Sequence, residues 1–252
     1  MDLLILFGAF IVGLVAGVST ATFGIGGAML LIPTFRIVFG MSGHEAIATA
    51  LMITIPATFF GALQFHIKRT VKVKTALVAG LIGSVFAVIG AYMTEFFEGH
   101  VLMIMLGILF LILSYISLKR EVGEPQKASL KKKAVGTAIV GAIGGFLSGF
   151  FGIGGGGVLV PSLMRIRKVP ISAAVPTSLA IIVIYSIPGS LAHLAMGNVV
   201  IDLVIPVALG SVIGATFTAK HIGKQDQKLR HKAFVAFMVL MGLFILIREL
   251  FF

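Results

Sequence analysis

Uncharged apolar runs follow one another along almost the whole chain, and that succession narrows the available folds more than any motif does. Val101 to Leu118 holds no charged residue, and comparable runs recur on either side of it. About 20 apolar residues in helical form match the hydrocarbon thickness of a bilayer. Inside lipid each backbone N–H and C=O must find its partner within the protein, which leaves helices or a closed barrel. The alternation of a barrel strand is missing, so the expected class is all-α: a polytopic helical membrane protein. Composition agrees, with 12% charged residues and a mean hydropathy of +1.12, about half the charged share of a soluble domain. The first twenty residues open with Asp2 and carry no Lys or Arg. They lack the positive flank of a secretory signal and are read as a retained first helix. There is no cysteine, which excludes disulfides, thiolate chemistry and Cys-based metal sites.

The chain repeats itself. "FGIGGAMLLIP" (Phe23–Pro33) returns as "FGIGGGGVLVP" (Phe151–Pro161), 128 positions on, with seven of eleven residues identical. The same shift aligns Gly8, Gly13 and Gly17 with Gly136, Gly141 and Gly145, Thr49 with Thr177, and Gly61 with Gly189. Beyond that the register is expected to slip by a few residues. The polar stretch 119–133 divides the copies, giving a first transmembrane repeat over 1–118, a linker over 119–133 and a second repeat over 134–252. Each repeat is predicted to hold five segments: a first helix (Leu3–Thr20; Ala134–Phe150), a glycine segment leading into a short broken helix that ends near Phe39 or Met164, and three fuller helices. Those lie near Glu45–His66, Thr75–Thr94 and Val101–Leu118, and near Ser172–Leu194, Val200–Ala219 and Ala233–Leu250. The sequence "SGHE" (Ser42–Glu45) reads as a capping box at one of these helix starts.

The net charge of +11 is a topology signal and not a nucleic-acid footprint. Of the 20 Lys and Arg, 18 fall in the loop Lys68–Lys74, the linker, Arg165–Lys168 and the stretch Lys220–Lys232. A ten-segment path puts all of these on one side, which the enrichment of short cytoplasmic loops in Lys and Arg makes the cytoplasm. The linker is then cytoplasmic and both termini are not. Matching loops of the two repeats have opposite character, basic after the third helix of the first repeat and acidic (Asp202) in the second. Two inverted-topology repeats predict that pattern, since five crossings per repeat flip the second copy.

Short, glycine- or proline-interrupted segments at matching positions of inverted repeats point to the binding site of a secondary transporter. Glycines let the backbone unwind at membrane depth and leave N–H groups free at the start of the following helix, where the helix dipole favours an anion. The expected substrate-binding residues are Gly24, Gly26 and Gly27 in the first copy and Gly152, Gly154, Gly155 and Gly156 in the second. Thr49, Thr177 and Ser178 complete the shell, and Pro33, Pro161 and Pro176 shape the helices around it. Packing between helices explains Gly13/Gly17 and Gly141/Gly145/Gly149 equally well, but Gly154 to Gly157 are consecutive and cover every face of a helix. Ser19, Thr20, Thr22, Ser148 and Ser162 are further hydroxyls nearby, although Ser and Thr as often bond their own helix backbone. All nine acidic residues fall at predicted helix ends or in loops, which argues against a cation or metal site and for an anion. Should protons be coupled, His66 and His193 are the candidates, with an ordinary interfacial role as the alternative for both. No nucleophile–base pair, paired carboxylates or "HExxH"-like spacing is present, so neither an enzyme nor a cofactor is expected.

With "GVSTATFGIGGAMLLIP", "GFLSGFFGIGGGGVLVPSL", "IATAL" and "VPTSL", the chain resembles, over nearly its whole length, the TauE/SafE family of sulfite exporters, also called the toluene-sulfonate uptake permease family. The resemblance implies movement of sulfite, organosulfonates or related sulfur-containing anions across the prokaryotic inner membrane. The first copy departs from the second by Ala28 and Met29 in place of Gly156 and Gly157. Expected partners are the anion, the lipid bilayer and, in a homodimer, a second copy of the chain. An anion channel or a transporter of another small organic anion is the competing reading.

Overall fold

The structure, a computed structural model, describes residues 3–24, 26–118, 130–165, 169–221 and 227–251. Within them the chain is helical: α1 Leu3–Phe23, α2 Ala28–Ile37, α3 Gly43–Ile67, α4 Val73–Met93, α5 Gly99–Leu118, α6 Leu130–Phe151, α7 Gly156–Arg165, α8 Ile171–Ala195, α9 Ile201–His221 and α10 Gln227–Phe251, with one 3-10 turn at Thr94–Phe96. Eight of these are long and apolar enough to cross a membrane, and α2 and α7 are short at ten residues each. This is a multi-pass helical membrane protein.

The repeat register holds further than expected. The ends of α1 and α6, and both ends of α2 and α7, α3 and α8, and α4 and α9, differ by 128. Only the last pair departs: α5 and α10 begin 128 apart and end 133 apart, so at the helix boundaries the slip anticipated beyond Gly189 is confined to that end. Side chains facing lipid are constrained in polarity and not in identity, so residue matches fade there while helix lengths are kept. Helix α6 begins at Leu130, inside the range assigned to the linker, because Leu and Lys are good helix formers. Residues 119–129 of that linker, with Arg167, Lys168 and Lys224 among the basic loop residues, lie outside the described residues.

Packing partners come in pairs related by exchange of the halves. Helix α1 packs on α9 as α6 packs on α4; α3 packs on α9 as α8 packs on α4; α2 lies on α3 as α7 lies on α8; α3 meets α8, and α5 meets α10. The first pair is built on glycine. A Cβ at Gly13 or Gly17 would run into the carbonyls of Val207 and Ser211, and one at Gly141 or Gly145 into those of Ala79 and Gly83. Helix α3 lies deepest, with 61% of its apolar span buried, against 28% for α10. Leu81 and Val85 of α4, Ile205 and Leu209 of α9, and Leu240 and Phe244 of α10 face outward, where lipid tails are their natural solvent.

The ends of the bundle differ in charge. Lys68 Nζ donates to the carbonyls of Ala219 and Lys220 at 2.8 and 2.9 Å, covering the last carbonyls of α9 and joining two basic loops. At the other end of α4, Asn198 Nδ2 donates to Glu95 Oε1 at 2.8 Å. There the capping box also forms: Glu45 N donates to Ser42 Oγ at 3.2 Å, and Ser42 N to Glu45 Oε2 at 2.8 Å. A bidentate pair of Arg36 with Glu249, at 2.7 and 3.0 Å, ties the end of α2 to the end of α10.

Candidate functional site

Both glycine segments break the chain in the same way. Gly24, Gly26 and Gly27 have φ of 74°, 78° and 71°, and Gly152, Gly154 and Gly155 have 66°, 63° and 62°. This is left-handed backbone, which side-chain-bearing residues adopt only at a cost, so these positions require glycine. The amides of Gly24 and Gly152 still close the preceding helix, on Thr20 O at 2.9 Å and Ser148 O at 2.8 Å. After three left-handed glycines α2 and α7 begin, and the first N–H groups of a helix have no partner inside it.

Hydroxyls hold the carbonyls of these segments. Thr54 Oγ1 donates to Gly26 O at 2.8 Å, sharing its proton with Ala50 O at 2.9 Å, and Tyr185 Oη donates to the repeat-related Gly154 O at 2.6 Å. Thr54 stands at mid-length of α3 and Tyr185 near mid-length of α8, so both segments lie deep between the ends of the spanning helices. Ser178 Oγ donates to Gly24 O at 3.0 Å and shares its proton with Val175 O at 2.8 Å. The first glycine of each segment packs on the third helix of the other half: Gly24 against Val175 and Ser178 of α8, Gly152 against Ile47 of α3.

The two short helices meet at their first turns. The room beside Gly157, at the start of α7, is filled by the tip of Met29, its repeat-related residue in α2. Met29 is 0% exposed, and every described residue from Gly24 to Ala28 and from Gly152 to Gly157 is buried. Pro33 and Pro161 sit four residues further along α2 and α7. Proline has no N–H, so the carbonyls of Met29 and Gly157 lose their usual helical donor at the same place. Pro176 does this to Ser172 in α8.

The other expected residues are placed as follows. Thr49 and Thr177 are buried, and their hydroxyls accept from the amides of Val200 and Lys72 at 3.0 Å each. Each thus holds the residue just before the start of a helix, α9 or α4. Ser19, Thr20 and Thr22 bond carbonyls four residues back in α1 at 3.1, 2.8 and 2.7 Å, the ordinary helix-backbone role. Ser148 is buried beside Tyr185. The two histidines part company. His66 lies exposed in the last turn of α3, whereas His193 is 0% exposed and its Nε2 lies 2.8 Å from Gly149 O. A carbonyl only accepts, so Nε2 carries the proton. Among the described residues no group of three His, Asp or Glu side chains stands close enough to hold a metal ion.

Residue-by-residue reading missed Thr54 and Tyr185, which lie 28 and 31 positions from the carbonyls they hold. The usable signal was a hydroxyl in the apolar middle of a spanning segment, as in "ITIPA" and "VIYSI".

Residues 9–245 match the family profile described as Sulfite exporter TauE/SafE. Among curated proteins, the chain is 29% identical to the probable membrane transporter protein YunE of Bacillus subtilis, over 90% of this chain and 91% of the relative. It is 28% identical to the probable membrane transporter protein MJ0441 of Methanocaldococcus jannaschii, over 94% of each. With the probable membrane transporter protein YdhB of Bacillus subtilis it shares 26% over 97% of this chain and the whole of the relative. No solved structure matches it.

Proposed function

The chain belongs to the TauE/SafE family of sulfite exporters, and from that premise we propose that it is a secondary transporter exporting small sulfur-containing anions, sulfite or organosulfonates, by alternating access. The observation that carries the proposal is the meeting of the two short helices. Their first turns touch at Met29 and Gly157, each preceded by three left-handed glycines. Backbone amides and the positive ends of two dipoles suit a small oxyanion. They offer several donors without a charged side chain, which would be expensive to keep in hydrocarbon.

In this reading the amides of Gly26, Gly27, Gly154, Gly155 and Gly156 supply the donors, while the amides of Gly24 and Gly152 stay on the preceding helix and the Ser178 hydroxyl holds Gly24 O, so that these three shape the site without donating to the anion. Thr49 and Thr177 fix the helix starts that frame the site, and Thr54 and Tyr185 lock the glycine carbonyls. The two halves are inverted across a prokaryotic inner membrane, with the basic loops and the linker cytoplasmic. Opening the site to either side alternately requires the repeat-related pairs, α1 with α9 and α6 with α4, to move past α3 and α8.

The test is flux in proteoliposomes with sulfite, methanesulfonate and a small carboxylate. Saturable uptake of the sulfur anions, accelerated by unlabelled anion on the far side, is the expected result. Linear uptake without that acceleration would indicate a channel, and failure to move any of the sulfur anions overturns the reading. Thr54→Val and Tyr185→Phe each remove one buried hydrogen bond from a glycine carbonyl, about 1 kcal/mol, and are expected to slow exchange by about fivefold while the protein still assembles.

A further inference from the structure

One face of α8 is left unused by the glycine-based site. Spacings of four and three put Ser186, Ser190 and His193 on the same side of the helix, and they are 0%, 1% and 0% exposed. Ser186 Oγ, Ser190 Oγ and His193 Nδ1 have no hydrogen-bond partner among the described residues. A buried polar atom left this way costs on the order of 1–3 kcal/mol, so three on one face of a spanning helix mark a place that receives something polar. At 1.5 Å per residue the row descends about 10 Å, from the last turn of α8 to the level at which Tyr185 holds Gly154. The repeat-related positions in the first half are Thr58, Ala62 and Phe65. Thr58 Oγ1 is spent on Thr54 O at 2.6 Å, and Ala62 and Phe65 belong to an apolar cluster with Ala21 and Leu179. Only the second half carries the polar row.

His193 is the member that can change charge. Its Nε2–H is committed to Gly149 O, near the end of α6 from which the second glycine segment leaves. That leaves Nδ1 as an acceptor, which protonation converts into a second donor. The titratable groups whose fields reach it are Glu95, beyond α4, and His44, in the first turn of α3, while α6 offers the Gly149 carbonyl. Among the described residues no Lys or Arg stands at mid-length of a spanning helix. An anion between the glycine segments therefore has no fixed cation beside it, and an uncompensated charge at that depth is costly.

We infer that the Ser186–Ser190–His193 face is a proton-coupled approach to the anion site: His193 takes up one proton at Nδ1 as the anion binds, and the two serine hydroxyls donate to the anion or to its water. The inference rests on the transport reading above. The step balances simply. A proton from the aqueous side takes the Nδ1 lone pair, Nε2–H stays on Gly149 O, no other bond changes, and the proton leaves when the anion leaves.

Methanesulfonate, fully ionised at every working pH, is the probe, and its affinity is read from thermal stabilisation of the detergent-solubilised protein between about pH 6 and 8. One linked proton makes affinity fall by up to about tenfold per pH unit above the histidine's titration. The wild type is expected to show that slope and to take up a proton in weakly buffered solution as the anion binds. His193→Gln keeps a donor for Gly149 O and is expected to show a flat profile, while His44→Gln keeps the slope. A flat wild-type profile, binding without proton uptake, or a slope that survives in His193→Gln overturns the inference. If His193→Gln does not melt cooperatively, His193→Asn takes its place, and anion binding without proton uptake by the unaltered protein remains decisive against the inference. No stabilisation at any pH counts against the transport reading itself, whereas binding without a pH slope counts against the proton alone.

Discussion

At the scale of single residues, left-handed glycine does two separable jobs. Gly40 and Gly155 have nearly the same backbone, with φ of 65° and 62°. A Cβ on Gly40 would meet nothing within 4 Å, whereas one on Gly155 would strike the Tyr185 hydroxyl and the carbonyl of Gly144. Gly40→Ala is therefore expected to cost only the left-handed penalty, about 1–2 kcal/mol. Gly155→Ala adds a collision with backbone that cannot swing away, and is expected to cost at least twice as much, read as the loss of melting temperature in detergent. Equal losses would mean that the backbone conformation alone, and not the close approach of α6, is what demands glycine. The positions of these glycines were legible because they repeat at a fixed interval and a run of four has no helical explanation. Their hydrogen-bond partners were not, because Thr54 and Tyr185 come from other helices and have different chemistry in the two halves. Thr49 and Thr177 show the converse: the repeat singled them out, but sequence has no means of telling a hydroxyl that faces a ligand from one that holds an opposing helix start.

At the scale of elements, the bundle is joined where backbone touches backbone. Gly145 of α6 meets the carbonyl of Gly83 in α4, and Gly149 meets that of Ala87, as Gly210 and Gly214 of α9 meet Phe10 and Leu14 of α1. In lipid no hydrophobic force drives helices together, so such close approach supplies the attraction. Gly145→Val is expected to separate α6 from α4 and to abolish a stable fold, seen as aggregation in size-exclusion chromatography. Gly8→Ala, with nothing within 4 Å of the added Cβ, is expected to leave the fold intact and to gain up to about 1 kcal/mol from helix propensity. A stable Gly145→Val protein would show that the crossing tolerates a wider separation than its glycines suggest. Proline acts at the same scale. Pro188 deprives Ile184 O of its helical donor, and the Ser84 hydroxyl of α4, which bonds Gly80 O at 2.9 Å, shares its proton with Ile184 O at 3.3 Å, a weak tie between α8 and its neighbour. Helix number and length were readable from apolar runs, because bilayer thickness fixes them. Pairing was not, because small residues on a helix mark a contact without naming the partner.

At the scale of the whole molecule, charge and repeat together carry the proposed orientation. The basic loops meet where Lys68 covers the end of α9, and the acidic loops meet at the other end of α4, where Asn198 bonds Glu95. Among the described residues, Lys68 and Lys220 thus stand at one end of α4 and Glu95 and Asn198 at the other. The proposed cytoplasmic placement of the basic end rests on the excess of Lys and Arg in cytoplasmic loops, and the chain's lack of cysteine makes it directly measurable. Single cysteines at Lys72 and Asn198 stand at opposite ends of the bundle, just before α4 and just before α9. In intact cells Asn198→Cys is expected to react with a membrane-impermeant maleimide, and Lys72→Cys only after the membrane is opened. Labelling of Lys72→Cys from outside would reverse the orientation and leave the fold untouched. Labelling of both from outside would be a different result, because it places two ends of one spanning helix on the same face of the membrane and so denies that α4 crosses it. That second outcome would overturn the proposed inverted arrangement, and with it the proposed reason for two glycine segments to face each other from opposite halves.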